Sequence, residues 1–563
     1  MKKFTAILLA VVMLFALSAS AFAATNSLET DYAIGNGLGV SVDLDIEGMY
    51  FDYPDILNTA TNGYYPFSFS LIASDRSKVA SVTVSNGGSF HWAYAQNADG
   101  SYVTDEDGNY VESTTTNYGV VVLPTTSAST VTVTGTGNIG SATFSCAQPN
   151  GGTTAAGTAL YAYLPAPAQF VNEGVTTGGW GDAYDSNGAV KATSSTGVSL
   201  GFFGGYAVYE FENPIADDPT HPYGADFIVY GNAFWNNSEA GCIQVSKDGT
   251  TWYDIAGSMY YTKSTKGATI TYTNPNATED AGITIPASNK GTLADVPYTL
   301  TVNGTTTTGT VTKNTFHNHS WFPLNVNYFV DYVTTETTRK QMAKVDEFSF
   351  VSRTLASNGV TDKLTFTGTL LTDYPGTGKT DQIGFGYCDV HPNKTLGGTI
   401  AYNPYQTFTS SSDYDAKVAG TSGGDPIDIA WAVKSNGTPA NLDSIRYVRI
   451  YTGMAQMNGI FGEISTEVCG VAACTGSTTE TAATPTISVD GSTVTTTNGG
   501  ILPLSKNSGD YTVNVTGTGY VYINGIATTS ATITPTRTGT KVQIIVQNGE
   551  AAPYVTYLNL QKK

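Results

Sequence analysis

The stretch Gln244-Val-Ser-Lys-Asp-Gly-Thr-Thr-Trp252 places β-forming residues on both sides of an Asp248-Gly249 pair. An Asp-Gly pair between two such runs is typical of a tight β-hairpin turn. The same alternation of β-branched or aromatic residues with polar ones recurs along the chain, between turns rich in Gly, Asn and Asp. Further examples are Ala80-Ser-Val-Thr-Val-Ser, Gly119-Val-Val-Val-Leu, Ser129-Thr-Val-Thr-Val, Tyr206-Ala-Val-Tyr-Glu-Phe and Tyr511-Thr-Val-Asn-Val. We therefore predict an all-β, multi-domain protein made of β-sandwiches, with one helix candidate around residues 335–345.

The mature chain divides into three predicted domains. Residues 24–160 form an N-terminal β domain that ends in a stretch rich in Gly, Thr and Ala. Residues 161–474 contain most of the Trp residues and the most distinctive motifs. A Thr- and Ser-rich connector follows, and it leads into residues 475–563, which have the size of an immunoglobulin-like sandwich.

The charge balance excludes several classes of protein. The 563 residues include 26 Lys+Arg and 46 Asp+Glu, which gives a formal charge of −20 although only 13% of the residues are charged. A nucleic-acid partner is not expected, because phosphate binding needs clustered Lys and Arg. Intrinsic disorder is not expected either, because 40% of the residues are hydrophobic and 11% are aromatic.

The N-terminus has the order of a secretory signal peptide. Residues 1–23 begin with Met1-Lys2-Lys3, continue with an apolar run and end in Ala-Phe-Ala. The apolar run is too short to span a bilayer, and no other segment has about 18 continuous apolar residues, so no transmembrane segment is expected. These features predict a secreted, extracellular protein or one held at the cell surface by non-covalent contacts.

The five cysteines leave two possibilities open. Cys469 and Cys474 are close enough in sequence to form a small disulfide loop, which an exported chain could oxidise. Geometry decides whether they pair, and an odd number of cysteines leaves at least one thiol unpaired.

Several motifs of the central region together resemble discoidin-like, galactose-binding-like jelly rolls. These are the hairpin that contains Asp248-Gly249, the later strand Ile445-Arg-Tyr-Val-Arg-Ile-Tyr451, and the closing segment from Gly459 to Val468 with Glu463. About 190 residues separate Trp252 from Arg446, so the resemblance implies a large insertion near residues 262–380. The region also resembles bacterial cell-surface proteins that share Tyr163-Leu-Pro-Ala-Pro, Gly178-Gly-Trp-Gly-Asp-Ala-Tyr184, Phe385-Gly-Tyr-Cys-Asp-Val-His391-Pro and Asp428-Ile-Ala-Trp-Ala-Val.

The resemblance to discoidin-like modules implies a calcium site. In many such modules a Glu near the last strand holds the ion together with loop oxygens, and the matching residue here is Glu463. Asp182 and Asp185 lie in a turn-rich loop that could supply further oxygens, since calcium prefers six to eight of them. The alternative is that these Asp side chains only stabilise turns through hydrogen bonds to the backbone.

A second, weaker metal hypothesis concerns histidines. His317 and His319 would face the same side of an extended segment, and Asp389-x-His391 could add two ligands. This set would suit a transition metal, with zinc first by ligand type. The alternative is a hydrogen-bonded polar cluster among aromatic residues.

Aromatic residues are the best candidates for ligand contacts. Trp235 and Asn236 lie in the polar stretch Phe234-Trp-Asn-Asn-Ser-Glu, and Trp180 and Trp321 lie in other stretches rich in Gly or Asn. Aromatic faces can contact sugar C–H groups while amides bind hydroxyls, although core packing is the alternative for each Trp.

These observations favour a non-catalytic secreted or cell-surface protein that binds a glycan or another cell-envelope component. A self-assembling surface-layer or filament subunit, which would self-associate, is one alternative. A secreted polysaccharide hydrolase of the glycoside hydrolase type is another, but the sequence lacks a Gly-x-Ser-x-Gly, His-Glu-x-x-His or phosphate-loop motif. Calcium is the one cofactor expected.

Overall fold

The structure is a computed structural model, and a defined part of the chain is described in it. The described residues are 29–35, 38–43, 68–93, 95, 103, 111–122, 129–146, 158–171, 180–181, 197–233, 238–249, 251–275, 294–314, 321–323, 328–331, 338–341, 354–355, 361–372, 384–400, 402–458 and 462–563. They are mostly β-strands in several antiparallel sheets, so the predicted all-β class is confirmed.

The N-terminal part contains eight strands in two sheets. The strands are β1 (Glu29–Gly35), β2 (Leu38–Asp43), β3 (Ser68–Ala73), β4 (Val79–Val84), β5 (Ser89–Trp92), β6 (Tyr118–Val122), β7 (Ser129–Gly135) and β8 (Ser141–Cys146), with a short 3-10 helix at Arg76–Lys78. One sheet has the order β1-β2-β3-β6-β5 and the other has the order β4-β7-β8. Alternate residues of β7, including Val131 and Val133, are buried, as the period of a half-buried strand requires.

The central part contains nineteen of the described strands. They are β9 (Thr158–Leu164), β10 (Trp180–Gly181), β11 (Gly197–Ser199), β12 (Tyr206–Ala216), β13 (Phe227–Tyr230), β14 (Gly241–Ser246), β15 (Tyr253–Ile255), β16 (Ser264–Thr273), β17 (Val296–Val302), β18 (Thr305–Val311), β19 (Tyr328–Asp331), β20 (Thr338–Gln341), β21 (Thr354–Leu355), β22 (Thr361–Leu371), β23 (Asp425–Ile427), β24 (Ala432–Val433), β25 (Ser444–Thr452), β26 (Glu467–Val468) and β27 (Gly470–Ala473). The helical elements here are α1 (Ser411–Lys417) and 3-10 turns at Pro222–Gly224 and Ile429–Trp431.

A six-stranded sheet organises the central part. Its order is β24-β15-β14-β25-β12-β9, so β25 pairs with β14 on one side and with β12 on the other. Smaller sheets of order β23-β13-β27 and β10-β11-β26 complete the sandwich. The predicted hairpin is confirmed, because Gln244 pairs with Asp254 across a turn in which Gly249 has a φ of 76°.

The segment predicted as an insertion contains a sheet of its own. Its order is β18-β17-β16-β22-β21, and none of these strands pairs with the six-stranded sheet in the described residues. Instead, side chains join the two sheets. The Tyr206 ring on β12 meets the Phe366 ring on β22 edge to face, and the fully buried Tyr272 of β16 donates its hydroxyl to the Phe203 carbonyl at 2.7 Å. The insertion therefore shares the core of the central sandwich.

The C-terminal part is a two-sheet sandwich. Its strands are β28 (Thr486–Val489), β29 (Ser492–Val494), β30 (Ile501–Lys506), β31 (Tyr511–Thr516), β32 (Tyr520–Ile523), β33 (Ile526–Ala527), β34 (Ser530–Ile533), β35 (Thr540–Gln547) and β36 (Tyr554–Lys562). The sheets have the orders β29-β28-β31-β34 and β30-β36-β35-β32-β33. One apolar core lies between them, whereas Ile545, Val555 and Tyr557 belong to the core of the central part. The two parts therefore share buried apolar surface.

One expectation about local structure is wrong, and one open question is answered. The described residues of the helix candidate, 338–341, form β20, which pairs with β19. Strand pairing there outweighs the helix propensity of the sequence. Of the two possibilities left open for Cys469 and Cys474, the structure has free, buried thiols, because the extended strand β27 lies between them and holds them apart. No helix in the described part of the chain is long and apolar enough to cross a membrane.

One buried ion pair supports the central strand β25. The Arg446 Nη2 atom lies 2.7 Å from the Glu210 Oε1 atom, and the Glu210 side chain is fully buried on the neighbouring strand β12. The Tyr447 hydroxyl also donates to this carboxylate, at 3.3 Å. Removing the guanidinium would leave a buried carboxylate without its charge partner, which is costly.

We expect Arg446→Met to lower the free energy of unfolding by about 3 to 5 kcal/mol, because it leaves the buried Glu210 carboxylate uncompensated. Denaturant unfolding of the mature chain measures this loss. The double variant Arg446→Met/Glu210→Gln carries no buried charge at this position and should recover part of it. Equal midpoints for the single variant and the unchanged protein would contradict the assignment.

Candidate cation site

Three acidic side chains from distant parts of the chain meet in the central sandwich. Glu239 lies just before β14, Asp389 lies in the loop that bridges to Gly241, and Glu467 lies in β26. One oxygen of each carboxylate lies within 4.8 Å of the others. Asp389 and Glu467 are buried, and Glu239 is partly exposed. The cluster is therefore enclosed on most sides and reaches solvent at Glu239.

Backbone pairing and short side chains hold Asp389 and Glu467 in place. Antiparallel pairing of β11 with β26 sets Ser199 opposite Glu467, and the Ser199 hydroxyl donates to Glu467 Oε1 at 2.9 Å. The Asp389 carboxylate accepts the backbone N–H of Asn232 at 2.7 Å and that of Glu467 at 3.2 Å. A Cβ atom at Gly231 would lie 2.3 Å from Asp389 Oδ1, so only glycine allows this close approach.

Burial and mutual repulsion raise the pKa of all three carboxyl groups. Desolvation followed by the charges of Glu467 and Asp389 raises the pKa of Glu239 well above its usual value. Desolvation and the charge of Glu467 act in the same way on the pKa of Asp389. Desolvation raises the pKa of Glu467 from 4.5 to about 7, although hydrogen bonds from Ser199 and other partners oppose it. The environment of each group therefore disfavours its ionised form.

Glu463 adds a fourth acid to this region. Its side chain is 2% exposed, and Oε1 accepts the Gln169 backbone N–H at 3.1 Å. Its Oε2 atom is buried and has no hydrogen-bond partner among the described residues. Desolvation raises the pKa of Glu463 to about 8, and its charge in turn raises the pKa of Glu239. A buried carboxylate oxygen without a partner is rare, and a bound cation would satisfy it.

The donor set suits a hard cation. All candidate ligands are carboxylate oxygens, and no Lys, Arg or His is paired with these four acids in the described part of the chain. Calcium binds oxygens at about 2.3 to 2.6 Å, so one ion can join oxygens about 5 Å apart. The spacing of the Glu239, Asp389 and Glu467 oxygens fits this limit. A cation here would replace the protons that the raised pKa values otherwise imply.

A second acidic cluster has a histidine beside it. Asp217, Asp226 and Asp428 also bring carboxylate oxygens within 4.8 Å of one another. His221 Nδ1 lies 3.3 Å from Asp226 Oδ1, and this contact raises the pKa of His221. Asp226 also accepts the backbone N–H groups of Asp218 and Ile429. Desolvation still raises the pKa of Asp217 to about 7 and raises the pKa of Asp226 and Asp428 above their usual value. The second cluster therefore differs from the first mainly in having a basic side chain in contact with it.

The structure places the predicted metal ligands in different situations. Glu463 is near enough to the first cluster for its charge to raise the pKa of Glu239. Asp182, Asp185, His317 and His319 lie outside the described residues. No contact among the described residues joins His391 to the other predicted metal ligands. Its Nδ1 atom lies 2.8 Å from Asp425 Oδ1, and its ring stacks on Tyr414 at a centroid distance of 5.7 Å. His391 thus belongs to a buried Asp–His pair in an aromatic setting, which is the alternative considered for the histidines.

The predicted ligand-contact residues also have different outcomes. Trp235 and Asn236 lie outside the described residues, as does the side chain of Trp180, whose backbone pairs with Gly197. Trp321 is fully buried, so its ring packs in the core and does not face a ligand. The expectation for Trp321 is wrong because its ring belongs to the central hydrophobic core, while its carbonyl accepts the Ala168 N–H at 3.0 Å.

Sequence reasoning missed Glu239 and Glu467. The resemblance assigned the calcium ligand near the last strand to Glu463 alone, but Glu467 lies four residues later, and positions an even number apart share one face of an extended segment. Glu239 follows Trp235 and Asn236 by a few residues, and its acidic neighbours are more than 100 residues away in sequence. Contacts between residues so far apart in sequence leave no local sequence pattern from which they could be predicted.

Comparisons with known proteins give no family for this chain. No protein-family model matches it, and no curated protein matches it. Among solved structures, the native conformation of alpha-2-macroglobulin from E. coli aligns with 93% of this chain and 32% of its own length, at 10% sequence identity and a TM-score of 0.12. The chain therefore spans about a third of that protein, and the score is too low to support a shared fold.

The raised pKa values predict a specific pH dependence of stability. In the metal-free protein, folded Glu463 and Glu467 keep protons up to about pH 8 and pH 7, whereas the unfolded chain releases them near pH 4.5. Stability is therefore highest below pH 4.5 for these groups and falls as the pH rises from about 4.5 to about 8. We expect Glu463→Gln, which cannot ionise, to remove about 5 kcal/mol of this fall.

Thermal melting in a chelator between pH 4.5 and 8.5 measures this fall for both proteins. The exposed substitution Asp510→Asn in the C-terminal part serves as the control and should leave the slope unchanged. Parallel curves for the unchanged protein and Glu463→Gln would contradict the electrostatic account.

Proposed function

We propose that this protein is a secreted or cell-surface binding protein, without catalytic activity, whose central jelly roll holds calcium and recognises a glycan or another cell-envelope component. One observation carries the proposal: the acids Glu239, Asp389 and Glu467 converge in a buried cluster without a cationic side chain, beside the partner-less oxygen of Glu463. Secretion rests on the signal-like residues 1–23.

The cation would act on the ligand-binding segment through its flanks. Asn232 donates its backbone N–H to Asp389, and Glu239 belongs to the cluster itself. These two residues flank the short segment that contains Trp235 and Asn236. An ion bound between Asp389 and Glu239 would hold Asn232 and Glu239, the described residues on either side of Trp235 and Asn236, in fixed positions. Positioning ligand-binding groups before the ligand arrives lowers the entropy that binding must overcome.

The geometry favours binding over hydrolysis. A glycosidase needs two carboxyl groups on opposite sides of a sugar, about 5 to 9.5 Å apart. Here the Glu239 and Glu467 side chains hydrogen-bond to each other, so no sugar ring fits between them. The buried position of Asp389 would also keep it away from a polymer. The surface-layer or filament alternative stays a prediction from composition.

We expect the chelator-treated mature chain to bind calcium with a Kd of about 10⁻⁴ to 10⁻³ M, as extracellular modules do. Glu467→Gln removes a charged ligand and should weaken binding at least about tenfold. Isothermal titration calorimetry measures both. The matched control is Asp428→Asn in the second cluster, equally buried, which should keep the affinity. An unchanged calcium affinity in Glu467→Gln, or a loss of affinity only in Asp428→Asn, would contradict a calcium site at the Glu239, Asp389 and Glu467 cluster.

We expect a glycan or cell-wall fraction to bind the calcium-loaded chain and to bind more weakly in a chelator. Trp235→Ala should reduce this binding about tenfold or more, because it removes the aromatic face. Glycan-array and cell-wall pull-down measurements test this, with Trp92→Ala in the N-terminal part as the control for loss of a Trp. An absence of binding under both conditions would refute the proposed function.

A further inference from the structure

A groove lies where the central part meets the C-terminal sandwich. Its volume is about 430 Å³, within the range of small-molecule sites. The central part supplies the wall that contains Tyr223, Tyr402, Asn403, Gln406 and Lys417, and the C-terminal part supplies Gly519, Tyr520, Asn548 and Gly549. We call it the seam groove. Neither the cation cluster nor the segment with Trp235 contributes a described residue to it.

Several contacts fix the central part against the C-terminal sandwich around the seam groove. Tyr522 donates its hydroxyl to the Tyr405 carbonyl at 2.6 Å, and its ring meets Phe385 edge to face. Tyr223 donates its N–H to the Glu550 carbonyl at 2.7 Å. Hydrogen bonds and aromatic packing between the parts therefore fix both walls relative to each other.

Aromatic and amide groups dominate the lining. Tyr520 is one of the most exposed large side chains in the described chain, at 39% of its surface, and Tyr223 and Tyr402 lie deeper. Gln406 and Asn548 add amides, and Asn548 is exposed. Phenol faces offer contact area for sugar C–H groups, while amides and phenol hydroxyls both donate and accept hydrogen bonds. This combination matches the alternating apolar and hydroxylated surface of a saccharide.

The backbone at Tyr223 is strained. Its φ is 60° and its ψ is 11°, a left-handed conformation that is unusual for an aromatic residue. The hydrogen bond to Glu550 and the preceding Pro222 help to hold it there. Strained residues concentrate at functional sites because the surrounding fold must stabilise them. Here the strain sets a tyrosine into the wall of the groove.

The charges around the groove disfavour an anionic ligand. Lys417 is the cation of the lining, but its Nζ atom lies 3.4 Å from Asp413 Oδ1, so its charge is compensated. Glu480 lies at the rim, where its Oε2 atom would be 2.0 Å from a Cβ atom on Gly549. The protein as a whole carries a formal charge of −20. Uncharged sugars would not meet this repulsion.

We propose that the seam groove is a binding site for a short, uncharged saccharide, with Tyr520 as the exposed aromatic platform and Asn548 and Gln406 as hydroxyl partners. This site is separate from the proposed calcium-dependent site. A chain with two saccharide sites would bind a polymer more tightly than either site does, because the second contact becomes intramolecular.

The mature full chain is to be titrated calorimetrically with neutral oligosaccharides built from hexoses or N-acetylhexosamines, and with uronic-acid and sialylated oligosaccharides of equal length. We expect at least one neutral oligosaccharide to bind, and Tyr520→Ala to weaken it about tenfold or more. Asn548→Ala, an exposed substitution, should weaken it in the same direction. The control Tyr118→Ala removes a tyrosine of similar exposure, 37%, from the N-terminal part and should change nothing.

The two proposed sites can be told apart in the same experiment. A neutral saccharide lost by Tyr520→Ala but kept by Trp235→Ala and in a chelator supports the seam groove. A saccharide lost by Trp235→Ala and kept by both Tyr520→Ala and Asn548→Ala overturns this inference and leaves the proposed function standing. Binding of acidic oligosaccharides only, or of none, also overturns it.

Discussion

The pairing of β25 with both β12 and β14 is the constraint on which the rest of the structure depends. Arg449 lies opposite Val208 on one side and Gln244 on the other, so residues more than 200 positions apart form one ladder. Closing such long loops costs entropy, which buried pairing must offset. The segment that follows β25 runs past the residues just before β14, where the Thr466 hydroxyl donates to the Glu239 carbonyl. Glu467 therefore lies close to Glu239. The chain then continues into the C-terminal sandwich.

The strands could be predicted from sequence where their pattern is local. Alternation and the Asp248-Gly249 turn specify the β14–β15 hairpin without knowledge of anything distant. The same local reasoning was wrong for residues 338–341, because a strand partner overrides helix propensity. It was also wrong for Trp321, since exposure depends on which neighbours cover a side chain. Local patterns define elements, and burial is decided by their assembly.

The candidate cation site also combines what local sequence can predict with what only tertiary pairing decides. The resemblance to discoidin-like modules directed attention to the segment after β25, and the charge of Glu463 in that segment raises the pKa of Glu239. The resemblance assigned the ligand role in that segment to Glu463 alone, although Glu467 shares a face of an extended segment with it. Sequence could not find Glu239 either, because the pairing of β14 with β25 is what brings that residue near. Tertiary pairing, and not local pattern, determines which acids meet there.

The electrostatics of these buried acids changes how the net charge is to be understood. The formal value of −20 counts every Asp and Glu as ionised. Desolvation and mutual repulsion raise the pKa of Asp389, Glu239, Glu463 and Glu467, so that near neutral pH the metal-free fold retains some of their protons. Protons or a divalent cation must fill this role, since the described neighbours of these acids provide no positive side chain. Part of the acidic excess is therefore an internal charge that the fold has to neutralise, and the surface left for partners is closer to neutral than the composition indicates. The surface that remains is still acidic, and with exposed tyrosines and amides it is suited to uncharged, hydroxyl-rich ligands, because they do not meet its repulsion.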